Sequence, residues 1–111
     1  MSAETSSTAI TIIPDVRADS PIPESGMGHS TALTHSDVRV VVLTFAAGHV
    51  LKEHSTPFPL IMQALDGELL VRADNQETTL RPGGLLRLDA GLRHEVESVV
   101  DSRLMLTLVT R

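Results

Sequence analysis

Two histidines, His54 and His94, are the side chains of this sequence best suited to chemistry. An imidazole titrates near neutral pH, ligates metals and serves as donor or acceptor. His54 lies in GHVLKEHSTPFPLIMQALDG (48–67) and His94 in GGLLRLDAGLRHEVES (83–98). A shared site would allow metal binding, proton transfer or polar anchoring of a small molecule. Alternate residues of a strand share a face. Thr56 should therefore point with His54, and Leu60, Met62 and Ala64 should share a face of the following strand. That face reads as an apolar pocket wall. By the same alternation His49 and Glu53 point away from His54, and Glu95 and Glu97 point away from His94. No carboxylate partner for proton transfer is evident. His29 and His35 fall in or beside a leading loop and read as solvated. Phe58, between Pro57 and Pro59, reads as a packing residue at a rim or contact.

The elements that must position these residues read as strands. From residue 31 onward short β-branched or alternating runs follow one another: STALTHS, VRVVVLTFA, LIMQAL, ELLVRAD, QETTLR, LLRLD, HEVESVV and RLMLTLVT. Turn signals divide them at 47–48, 66–67, 74–75, 82–84 and 90–91. Many short strands with regular turns predict an all-β sandwich or barrel. Asp74-Asn75 predicts a tight hairpin, because both residues tolerate positive φ. No window has the periodicity of an amphipathic helix. Residues 1–7 read as a disordered N-terminus. Residues 8–36 read as an N-terminal arm, with a strand-like AITIIP (9–14) and a Pro/Gly-rich loop at 15–30. The barrel proper is expected over 37–111, and the arm is expected to lie across it or to add an edge strand.

The two histidine segments together resemble the cupin superfamily. In its first motif Gly48, His54 and Gly67 hold the expected positions, while Thr56 stands in place of a second His and Leu60 in place of Glu. In its second motif Gly83, Gly91 and His94 match, while Asp89 replaces Pro and Ser98 replaces Asn. The likeness spans roughly residues 38–109. It implies a double-stranded β-helix, or jelly-roll barrel, and commonly a homodimer. It also implies one divalent metal ion (Fe, Mn, Ni, Cu or Zn). In metal-binding members two His and one Glu of the first motif and one His of the second hold the ion. Here only His54 and His94 remain as metal candidates, below the three or four protein ligands usual for zinc.

Composition narrows the classes further. The 111 residues suit one domain. Cysteine is absent, excluding disulfides, thiolate sites and cysteine nucleophiles. The net charge of -5 forms no basic patch, which speaks against nucleic acid and anionic membrane partners. No apolar run nears the ~20 residues of a membrane span, and a cytoplasmic setting is expected. The leading expectation is a barrel that binds a small, partly apolar molecule in a pocket of His54, Thr56, Leu60, Met62 and His94. Two others stay open: a metal-dependent enzyme of dioxygenase, isomerase or decarboxylase type, and a structural or partner-binding barrel. On the last reading the two histidines are simply hydrogen-bonded interior residues.

Overall fold

The computed structural model describes residues 5, 6 and 9–111. Among the described residues eleven strands appear in the order β1 (Thr5–Ser6), β2 (Thr11–Ile12), β3 (Met27–Thr34), β4 (Val38–Phe45), β5 (Val50–His54), β6 (Leu60–Asp66), β7 (Leu69–Ala73), β8 (Gln76–Leu80), β9 (Leu85–Leu88), β10 (His94–Ser98) and β11 (Ser102–Val109). Two antiparallel sheets of order β3-β4-β11-β6-β9 and β5-β10-β7-β8 face each other, and β1-β2 form a small ribbon. Among the described residues no helix is long and apolar enough to cross a membrane. The expectation of disorder for residues 1–7 falls largely outside the described residues; within that span Thr5–Ser6 pair with Thr11–Ile12.

The pattern of the chain explains the sandwich. Leu60, Met62 and Ala64 of β6, Val41, Leu43 and Phe45 of β4, and Leu104 of β11 face inward from the larger sheet. Leu69 and Val71 of β7, Leu80 of β8 and Val96 of β10 meet them from the smaller one. Each Val, Leu, Met or Phe among them, fully buried, contributes roughly 1.5–3 kcal/mol. The β7–β8 hairpin turns at Asp74 (φ 52) and Asn75 (φ 58), as their tolerance of the left-handed region predicts.

Two sequence expectations need correction. The Pro/Gly-rich loop ends at residue 26, and Met27–Thr34 form a strand paired with β4. A glycine inside a strand masked this: Gly28 packs so closely on Thr44 that a Cβ would lie 2.7 Å from its Oγ1. The strand alternation expected to run from His49 to Thr56 is cut short, since the edge strand β5 spans only Val50–His54.

The remaining loop is a strap. Ser20 is buried and shares a 2.6 Å hydrogen bond with Ser30, while Arg103 Nε donates to the Ser20 carbonyl at 2.8 Å. Ser30 and Arg103 sit opposite Val42 and Thr44 of β4, whose outward faces are thereby sealed. Asp66 accepts from both Arg103 (2.8 Å) and Arg17 (3.2 Å). The Arg103 hydrogen bond, outweighing burial and joined by the nearby Arg17, lowers the Asp66 pKa.

Candidate functional site

His54 and His94 face each other across the β5–β10 ladder, where their Cα atoms are direct partners. The next inward pair is Leu51 and Val96, so β5 spends one residue more than β10 between the two pairs. That bulge turns Lys52 and Glu53 both to solvent and keeps Leu51 and His54 on the inner side. The two rings lie 4.4 Å apart between centroids, tilted by 57°.

Each ring is oriented by its own strand. Nδ1 of His54 is 2.9 Å from the Lys52 carbonyl, and Nδ1 of His94 is 3.0 Å from the Leu92 carbonyl. A carbonyl only accepts, so both Nδ1 atoms carry the proton. In its neutral form each ring then holds its lone pair on Nε2. No described residue hydrogen-bonds either Nε2. His94 is only 3% exposed, yet no buried side-chain nitrogen or oxygen lacks a partner among the described residues, so its Nε2 is not sealed in. Burial lowers the His94 pKa, the Leu92 carbonyl opposes this, and the neighbouring His54 adds to the lowering.

Thr56 lies beyond the end of β5, in the loop before β6. Its hydroxyl donates to the Phe58 carbonyl at 2.9 Å and accepts from the Phe58 amide at 3.2 Å. It is therefore committed to its own turn, and the strand alternation that grouped it with His54 does not extend to it. Its carbonyl takes the Gly91 amide at 2.7 Å, which joins the two histidine segments. Gly91 needs its φ of 78° to make that turn. Leu60 and Met62 are each 1% exposed and belong to the closed core. Ser98 is wholly buried; its hydroxyl donates to the Ala46 carbonyl at 2.7 Å and accepts from the His49 amide at 3.0 Å, so it pins the β4–β5 turn. His49 is half-buried, its ring 6.2 Å from that of Phe45; His29 and His35 are exposed.

A cleft of about 290 Å³ opens between the sheets, lined by Val71, Ala73, Asp74, Gln76, Thr78, Leu86, Arg87, Leu88, Asp89 and Leu92. It abuts the histidine pair: Ala73 is the ladder partner of His94, and Leu92 holds the His94 ring. From β9 the lining is Leu86 and Leu88, which pair with Met62 and Leu60. Sequence reading placed the apolar wall on β6; the register of the hairpin and of β9 moves it one strand outward. A larger depression of about 760 Å³ runs past Glu53, Arg72, Glu77, Arg93 and Glu95 on the outer side. Both of its arginines are engaged: Arg72 binds Glu77, Glu95 and Glu97 at 2.6–2.8 Å, and Arg93 binds Glu53 at 2.7 Å. The smaller cleft mixes apolar Val71, Ala73, Leu86, Leu88 and Leu92 with polar Asp74, Gln76, Thr78, Arg87 and Asp89, and the histidines stand beside it without lining it.

The two opposed antiparallel sheets match solved barrels over most of this chain. The chain has the cupin fold. A cupin superfamily protein from Desulfitobacterium hafniense superposes with a TM-score of 0.79 at 17% identity, over 86% of this chain and 88% of that one. An RmlC-like cupin from Desulfovibrio desulfuricans gives 0.75 at 20% identity over 96% of both. The DMSP lyase DddQ from Ruegeria pomeroyi gives 0.70 at 15% identity, over 75% of this chain and 46% of that one. No family model matches the chain, and no curated protein matches it by sequence.

The metal expected of such a cupin barrel is not supported by the donor set. Among the described residues no group of three or more His, Asp or Glu is placed to hold an ion. Leu60 fills the carboxylate position with core packing, and the Thr56 hydroxyl is already engaged. The imidazole pair is thus at least one protein ligand short of a catalytic zinc site and two short of a structural one.

Proposed function

We propose that this cupin barrel is a binding module for a small, partly apolar molecule. The molecule enters the cleft between the sheets and meets His54 and His94 as polar anchors. The observation that carries this reading is the paired imidazoles, oriented by backbone carbonyls, beside a cleft of mixed polarity and without a third metal ligand. Val71, Ala73, Leu86 and Leu92 supply hydrophobic contact, and the rings supply orientation. The proposal takes the protein as a cytoplasmic homodimer, for which gel filtration at micromolar concentration is the check; a strict monomer contradicts that part.

A fragment screen by thermal shift tests the main reading. A ligand that binds only the folded state raises the melting temperature by mass action. Compounds that stabilise the wild type and lose their effect in folded His54→Ala/His94→Ala protein support it. A fold that survives the double change with every shift intact contradicts it.

A further inference from the structure

The outer faces of the two sheets differ in kind. On the smaller sheet Arg72 of β7 lies opposite Glu77 of β8 and Glu95 of β10, and also binds Glu97. Three carboxylates on one guanidinium leave that face acidic and solvated. On the larger sheet Leu104 and Leu106 of β11 and Leu60 and Met62 of β6 face the core, so Met105, Thr107 and Val109 of β11 and Ile61 and Gln63 of β6 face outward. Strand β9 continues these rows, Leu85 beside Gln63 and Arg87 beside Ile61. The charges on the outward positions of β6, β9 and β11 are balanced: Arg103 binds Asp66, and Arg87 binds Asp89 at 2.7 Å. An antiparallel sheet with one face in the core usually turns polar residues to water on the other. Here Ile61, Leu85, Met105 and Val109 stand there instead. The strap seals Val42 and Thr44 of β4, but Leu85 is 68% exposed and Val109 is exposed too. Ile10 and Ile12, exposed as well, flank Thr11 where the arm bonds His35 of the β3–β4 turn.

Charge points to the occupant. The chain carries a net charge of -5, so two copies repel unless they meet through a surface without excess charge. A two-fold contact sets a patch against itself. The outer face of the smaller sheet would set glutamate against glutamate, which is costly. The outward positions of β11, β6 and β9 carry no excess charge and bury apolar side chains when paired with themselves. We infer that a second copy of this chain docks there, across a two-fold axis, with the larger sheets of the two copies face to face. The inference rests on the homodimer part of the reading above and names the face that the dimer uses.

Sedimentation velocity of the full chain, from low to high micromolar concentration, tests this. The wild type is expected to dimerise. Leu85→Glu and Val109→Glu, made separately, bring an unpaired charge into the contact and are each expected to weaken dimerisation at least about tenfold. Both positions are exposed in the single chain, so the fold should survive, as circular dichroism checks. Thr79→Glu is the control: Thr79 is exposed on the outer face of the smaller sheet, opposite Leu70, and the change is expected to leave the dimer as it was. A wild-type dimer that either Leu85→Glu or Val109→Glu leaves unchanged, or that Thr79→Glu weakens equally, overturns the face and leaves the homodimer standing. A wild type that stays monomeric throughout gives the face to another occupant and overturns this inference and the homodimer together.

Discussion

Replacing Leu60 by glutamate puts back the carboxylate that the cupin motif carries at that position, and its cost measures what Leu60 does. Leu60 is 1% exposed, pairs with Leu88 and Leu108, and packs in the central core. Losing its burial removes roughly 1.5–3 kcal/mol. The carboxyl then enters the core without a partner, which adds about 1–3 kcal/mol even when it is protonated. Leu60→Glu should therefore destabilise by roughly 2.5–6 kcal/mol, a large part of the ~5–15 kcal/mol available to a domain. Burial raises the folded-state pKa of such a carboxyl. The folded state then binds more protons than the unfolded one between ~4.3 and the raised value. The penalty should accordingly shrink as pH falls through that window. Urea unfolding at pH 7 and pH 5, with Leu60→Met as a volume-conserving control, gives both numbers. A loss below about 1 kcal/mol, or a Leu60→Glu protein restored to full stability by zinc, would refute the assignment of Leu60 to the closed core.

Three further outcomes follow from the same geometry. The His94 pKa is lowered below its ordinary 6.5, so the unfolded chain binds more protons between the folded value and 6.5. Stability should be full above pH 6.5 and fall below it, by no more than about 1.4 kcal/mol per pH unit, and His94→Gln should flatten that slope in urea titrations. Ser98→Ala removes a hydrogen bond from the Ala46 carbonyl and from the His49 amide, which keep each other at 3.3 Å, and should cost about 0.5–1.5 kcal/mol in the same assay. Asp66→Asn releases the strap held through Arg17 and Arg103, so limited proteolysis within 13–26 should accelerate. In the wild type the Asp66 contribution persists above its ordinary 3.8 and is lost as pH falls through the lowered folded value.

Strands that bury one face announced themselves. LIMQAL alternates and became β6, and Asp74-Asn75 fixed the hairpin because few other pairs take positive φ at both positions. Edges did not. VLKEH buries little and lacks a hydrophobic alternation of its own, and its place as β5 rests on the ladder with β10. The bulge there places Leu51 and His54 inward three residues apart, which simple alternation cannot foresee. The engagement of Thr56 in its own turn and the pinning role of Ser98 depend on backbone atoms brought close only by the fold. Gly67 shows the same limit from the other side. The motif marks it, yet the reason, a Cβ driven into Ser102 and the Asp101 carbonyl at φ 84°, exists only in three dimensions.

The central claim is that His54 and His94 act as organic-ligand anchors and not as a metal site. Metal content by inductively coupled plasma mass spectrometry tests it most directly, on untagged protein before and after soaking in Fe, Mn, Ni, Cu and Zn. With only two imidazoles in the set, the protein should retain far less than one equivalent of any of them after dialysis. Close to one equivalent of a single metal, lost in folded His94→Ala protein, would contradict the claim.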